Sequence, residues 1–194
     1  GGGRIFFGGN GSRAWMRVRG FGIGPGNEGC DMDAVDQAIL RRLQRDGRQT
    51  NRELAEAVGV APSTALERTR ALRSRGVITG VHAAADLERL GRGVQALISI
   101  RIRPQSREAI ESARDGMAAM PEAVGVFVVT GNEDLLVHVA VPSTAYLRDF
   151  VLDRLARRKE FVDVRTTVVY DYVQPVEQSE LPAAGERARR TSYA

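Results

Sequence analysis

Cysteine is almost missing from this chain: Cys30 is the single one in 194 residues. No disulfide can close within the chain and no zinc site can be built from thiolates, which fits a reducing compartment, with the cytoplasm as the expected location. Histidine is nearly as scarce, with only His82 and His138. That leaves no His-x-x-x-His pair for a metal, and there is neither a glycine-rich phosphate loop ahead of a helix nor a nucleophile elbow. The sequence therefore predicts no catalytic residue, no metal and no cofactor. No apolar run approaches the roughly 20 residues needed to cross a bilayer. Arg4, Arg13, Arg17 and Arg19 break up the N-terminal stretch where a signal peptide would need its apolar core, so neither a membrane nor export is expected. Lys159 is the only lysine. Since nearly every cation is therefore arginine, arginine richness by itself is discounted as a nucleic-acid signal.

What is present suits two small domains. A hydrophobic content of 43% supports a packed core. The net charge of +4 is unevenly spread: residues 33–81 carry nine Arg against six acids, whereas 95–175 carry ten basic and eleven acidic side chains. Residues 1–31 hold eleven of the 21 glycines without a sustained period. That composition predicts a disordered leader, or a basic arm, since backbone entropy opposes its ordering.

Residues 50–78 are the most telling stretch. Thr50 and Glu53 are spaced as a capping box, and Leu54, Ala55 and Val58 make a buried stripe for a short helix. Gly59 can end that helix in the left-handed conformation, and Pro62 suits the first turn of the next. Along this second helix Leu66, Thr69 and Leu72 are predicted to face inward. Ser63, Thr64, Glu67 and Arg68 then share the opposite face. A helix-turn-helix lays such a face in the major groove, where Arg forks onto guanine, Ser or Thr meets phosphate or base, and Glu accepts from cytosine. The plainer reading is a helical hairpin with a solvated charged face. The candidate DNA contacts are Thr50, Asn51, Arg52, Pro62, Ser63, Thr64, Glu67, Arg68, Arg70 and Arg73. A preceding helix, from about Asp33 to Arg45, carries Val35, Ile39, Leu40 and Leu43 on one face. After Gly76, residues 77–81 read as a short strand, which would add a wing.

The period changes at Val94. Alternation over 94–102 predicts a strand closed by Pro104, and Ile110, Ala113, Met117 and Met120 space a helix between Ser106 and Met120. Val124, Val126 and Val128 form a second strand, joined by the turn Gly131-Asn132-Glu133-Asp134 to a third through Leu135, Val137, Val139 and Val141. Ser143 caps a helix with Leu147, Phe150, Val151 and Leu155 inside, and Val164 to Tyr172 reads as a long fourth strand. The order βαββαβ implies an α+β, ferredoxin-like antiparallel sheet with both helices on one face. Leu97, Phe127, Val129, Leu136 and Val169 remain on the other face, enough apolar surface to call for a second chain. The boundaries follow: leader 1–31, helix-turn-helix domain 32–81, linker 82–93, ferredoxin-like domain 94–174 and polar tail 175–194.

The opening MDAVDQAILRRLQRDGR, the block ELAEAVGVAPSTALERTRALRSRGVITG and the pieces VVTGNEDLLVHVAVPS and TTVVYDY together resemble the Lrp/AsnC (leucine-responsive and asparagine regulator) family of transcription factors. The likeness covers about 32–174. It implies a first domain that binds operator DNA and a second that binds a small effector, usually an amino acid. It also implies dimers that associate into tetramers or octamers. Two positions depart from the family pattern. Ala61 stands where a Ser usually caps the recognition helix, and the Gly-Asp-aromatic-Asp effector loop appears as Gly131-Asn132-Glu133-Asp134. The candidate effector residues are Thr130, Gly131, Asn132, Glu133, Asp134 and Leu135, with a plain hairpin turn as the simpler reading. The alternative from another class is an enzyme, because the same architecture resembles siroheme decarboxylases. Its only imidazoles would be His82 and His138.

Overall fold

Capping chemistry places the first three helices of the computed structural model, which describes residues 32–179. The leader 1–31 and residues 180–194 of the polar tail lie outside the described residues. Asp33 accepts the Asp36 N–H and starts helix α1, Ala34–Arg45. Thr50 and Glu53 close the expected capping box on helix α2, Asn51–Val58, and Gly59 at φ 73° ends it. Helix α3, Pro62–Ser74, starts at Ala61 with no side-chain cap but with Pro62 in its first turn. Ile39, Leu54 and Leu72 are fully enclosed where the three helices meet, with Met32, Val35, Leu43, Val58, Val77 and Ile78 packed round them. The inward stripe of α3 differs by one position from the expected one. Ala65, Thr69 and Leu72 are buried, and Leu66 is only half so. A small residue at 65 permits the close approach, and the Thr69 hydroxyl is satisfied by the Ala65 carbonyl at 2.8 Å.

No wing forms among the described residues. The N–H groups of Val77 and Ile78 both turn back to the Leu72 carbonyl, at 2.9 and 3.2 Å. Their side chains join the helical core. A strand needs a neighbour to pair with, and residues 75–93 contain none. The expected linker instead contains a tight turn, where the Asp86 carboxylate accepts the N–H groups of Glu88 and Arg89 and Gly91 adopts φ 73°.

The second half follows the expected order. Strand β1 is Val94–Ile102, helix α4 Arg107–Ala118, β2 Ala123–Val128, β3 Leu135–Val141, α5 Thr144–Phe150 and β4 Phe161–Val169. Helix α5 runs on into one π-helical turn, Val151–Leu155. The sheet order is β2-β3-β1-β4, with every neighbouring pair antiparallel. Ala96, Ile98, Ile100 and Ile102 of β1 and Leu135, Val137, Val139 and Val141 of β3 share the helix side and are fully buried with Met117, Phe150 and Leu155. The fourth strand is shorter than expected: it ends at Val169, and Tyr170 and Tyr172 lie beyond it. β2 likewise ends at Val128, so Val129 belongs to the turn rather than to the open sheet face.

The chain forms two compact units. One gathers residues 85–172, and the other gathers 32–84 together with 173–179. The start of the polar tail therefore belongs to the helical unit rather than to the sheet. Among the described residues no helix is long and apolar enough to cross a membrane.

Candidate DNA-reading face and effector turn

Helical geometry sets which side chains of α3 stand clear. With Ala65, Thr69 and Leu72 turned inward, positions 63, 67, 70 and 74 point directly away at 100° per residue. Ser63, Glu67, Arg70 and Ser74 are accordingly exposed, with Thr64 on the flank. Arg68 does not belong to this group. It sits beside the buried stripe, where its guanidinium pairs with Asp33 and lies 3.1 Å from Asp36 of α1. Asp36 is buried, and Arg75 approaches its other oxygen at 3.6 Å. The expected grouping of Ser63, Thr64, Glu67 and Arg68 is thus corrected at one member. Arg68 stitches α3 to α1, and Arg70 is the arginine on the outer face. Arg52 and Asn51 are exposed in the first turn of α2, Pro62 opens α3 with its ring exposed, and Arg73 is exposed near its end. Thr50 is committed to the capping box.

Electrostatics tighten the same contacts. The Asp33 carboxyl is held below the usual carboxylate range, first by the Asp36 N–H it accepts and then by Arg68. Glu53 is lowered by the N–H and hydroxyl of Thr50, at 2.7 and 2.8 Å. Arg68 is raised by the same two aspartates.

In the sheet unit, the hairpin turn between β2 and β3 closes with the Val129 N–H donating to the Asp134 carbonyl at 3.0 Å, and Gly131 takes φ 127°. Asp134 is buried and its carboxylate is fully engaged. Oδ2 accepts the Ile102 N–H at 2.7 Å, Oδ1 accepts the Gln105 side-chain amide, and Arg103 lies 3.6 Å away. Its own N–H reaches the Ile100 carbonyl at 3.0 Å. The Asp134 side chain, expected among the effector residues, pins the end of β1 to the start of β3. Leu135 is enclosed in the core and out of a ligand's reach. Thr130, Gly131 and Asn132 are exposed, and Glu133 is half-buried beside Arg165 at 3.6 Å. Arg101 donates to the Asn132 carbonyl at 2.7 Å. The turn is therefore ringed by Arg101, Arg103 and Arg165, three cations that the sequence pattern did not attach to it. Cross-strand register is the signal that locates one of them: Ser99 pairs with Arg165, two residues before Arg101.

A second cluster was also missed. Arg92, expected in the linker, donates to the carbonyls of Pro121 and Glu122, each at 2.8 Å, and of Ala140 at 3.1 Å. Buried Glu122 accepts the Tyr146 hydroxyl at 2.7 Å, which raises the phenol above its ordinary range. His138 is buried on the open sheet face. Its Nε2 lies 2.9 Å from the Gln95 amide oxygen, Tyr172 meets the ring edge-on at 5.6 Å, and burial lowers its pKa. Among the described residues no three His, Cys, Asp or Glu side chains gather as a metal site requires.

Residues 32–73 match the AsnC-type helix-turn-helix domain, and residues 95–178 match the Lrp/AsnC ligand-binding domain. The chain belongs to the Lrp/AsnC family. It is 34% identical to the HTH-type transcriptional regulator AldR of Mycolicibacterium smegmatis over 74% of this chain and 84% of that protein. It is 33% identical to the leucine-responsive regulatory protein of Rhizobium meliloti over 78% of this chain and 97% of that one. Among solved structures, a transcriptional regulator of Neisseria meningitidis crystallised with L-methionine aligns at a TM-score of 0.67 and 30% identity, covering 78% of this chain and 96% of that one. This family member is a transcriptional regulator with a helix-turn-helix domain and a ligand-binding domain. The decarboxylase alternative is not favoured by relatives that are regulators.

Two outcomes check the geometry. Because Asp33 and Glu53 are lowered in the folded chain, each contributes stability that is complete above the ordinary carboxylate range and lost as pH falls through and below it. Melting of α1–α3 followed by circular dichroism should drop steeply below about pH 4, and Glu53→Gln should flatten part of that slope. Asp134→Ala leaves the buried Ile102 N–H without its acceptor and should destabilise the sheet unit by about 1–3 kcal/mol in chemical denaturation.

Proposed function

We propose that this regulator reads paired operator half-sites through Ser63, Thr64, Glu67 and Arg70, with Asn51, Arg52 and Arg73 on phosphate. The observation that carries the reading is the exposed outer face of α3. It combines Arg70, which makes no ion pair among the described residues, with hydroxyls and a carboxylate on a helix held by its core and by Arg68. Arg70 suits the two acceptors of guanine, and the hydroxyls suit phosphate or base edges. Arg68 acts indirectly by fixing the angle of α3. As a reader of the chromosome, such a protein works in the cytoplasm.

The effector reading is narrower than the sequence pattern suggested. A small amino acid at the 130–133 turn would find a carboxylate for its ammonium in Glu133. For its own carboxylate it would find free backbone around Gly131 and the nearby arginines. The neighbour's methionine complex supports a ligand of this class. Asp134 then holds the turn in shape rather than touching the ligand. Dimer formation across the open sheet face, with further association into tetramers or octamers, supplies the two-fold pair that meets successive major grooves about 10 bp apart or a multiple of that.

Capture of genomic DNA followed by footprinting tests the whole. Arg70→Ala should cost about 1–3 kcal/mol at the cognate operator and relax base preference. Arg68→Ala should lower the melting temperature of the helical unit and weaken all DNA sequences alike. Sequence-selective loss in Arg68→Ala and none in Arg70→Ala would reverse the assignment. For assembly, Leu97→Asp places a charge in the middle of the open face and should give monomers in light scattering, with operator affinity falling as bivalency is lost. An unchanged large assembly would put the interface elsewhere.

A further inference from the structure

The segment that leaves β4 returns to α1. The Gln44 side-chain amide donates to the Gln178 carbonyl at 2.9 Å, and the oxygen of the same amide accepts the Gln178 N–H. Next to them, Arg45 pairs with Glu177. One side chain thus serves both backbone groups of one residue, as a neighbouring strand would. This pairing is directional, so it fixes where along α1 the tail sits. Among the described residues no apolar anchor assists: Val173 is 80% exposed and Val176 67%. Polar contacts, among them these two hydrogen bonds and one exposed ion pair, offset the ordering of six residues, of which only Pro175 has its φ fixed beforehand. The docking is polar and reversible.

Its position in the chain gives it a consequence. Residues 85–172 form one compact unit, and the stretches on both sides of them, 32–84 and 173–179, belong to the other. The sheet unit is tied to the DNA-reading unit at both ends, by the linker on one side and by the docked tail on the other. A body on one flexible linker turns freely, whereas a second attachment removes most of that freedom. We infer that Gln44 and Arg45 form a docking site for this chain's own residues 177–178. The docked tail restrains the DNA-reading helices, so that paired half-sites are accepted at one spacing. The inference rests on the DNA-reading role proposed above.

Operator fragments whose half-site separation is stepped by single base pairs test it, comparing wild type with Gln44→Ala/Glu177→Ala. Wild type should lose about tenfold or more in affinity when the separation shifts by roughly half a helical turn, about 5 bp. The double variant should lose less than about threefold over the same shift. Its affinity at the best spacing, its melting temperature and its light scattering should stay at wild-type values. A second arm needs no DNA: trypsin should cut the linker near Arg89 faster in the double variant, and a chain ended after Gln174 should match that rate. Equal cleavage of all three proteins would overturn the docking. Equal spacing profiles would overturn its role in half-site selection. Wild type that binds no operator at all while the cleavage rates differ would count against the DNA-reading role and leave the docking standing.

Discussion

Strand β1 sits between β3 and β4, and its two faces have different fates. Two parallel crossovers build the sheet, β1 to β2 through α4 and β3 to β4 through α5. Both take the same hand, so both helices fall on one side. That side encloses Ala96, Ile98, Ile100 and Ile102 completely. The other side has no helix to cover it. Leu97, Leu136 and Val169 stay half-buried, and Phe127 is 54% exposed. The handedness that gives the unit its core also leaves an apolar face that a second sheet can match. That face is the one the proposed dimer would use, and the arginines at its rim, Arg101 and Arg165, lie where a ligand at the 130–133 turn would meet it.

In the helical unit the corresponding constraint is electrostatic. Asp36 is buried, and a lone buried carboxylate would cost several kcal/mol. Arg68 and Arg75 approach its two oxygens from α3 and its end. Asp33 adds a second carboxylate that caps α1 and grips Arg68 at once. The pairing takes Arg68 off the exposed face of α3 but ties α3 to α1. On the proposed reading, a bidentate contact to a base tolerates little angular error, so a fixed α3 is worth more to Arg70 than a second loose cation would be.

The sequence made some of this legible, and physical reasons separate those parts from the rest. Capping residues and period carry local information, so Thr50, Glu53, Gly59, Ser106 and Ser143 mark their helix ends correctly, and β1 runs from Val94 to Ile102 as its alternation says. Errors arise where a partner decides. Residues 77–81 have strand-like composition but no strand to pair with, and Tyr170 and Tyr172 continue the alternation past the point where β1 ends as a template. The helical period placed Arg68 on the outward face, because it carries no sign that Asp33 and Asp36 stand beside the buried stripe and draw the guanidinium to themselves. Asp134 is the plainest case. Its pattern marks a turn carboxylate, and only the three-dimensional path of β1 brings the Ile102 N–H and Gln105 to it.

That anchorage limits how a ligand at the turn could act. Moving Asp134 would release the Ile102 and Gln105 bonds and disturb the end of the central strand, so the turn behaves as a rigid rim and not as a switch. A small molecule on a rigid rim gains leverage only through what else it touches, and a second copy of the sheet unit is the surface that the open face invites. Its influence then equals its difference in affinity between assembly states, typically about 1–3 kcal/mol. On the proposed reading, this energy would reach the DNA through how many reading helices are presented together and at what spacing. Their own packing, clasped by Asp33, Asp36 and Arg68, is left unchanged.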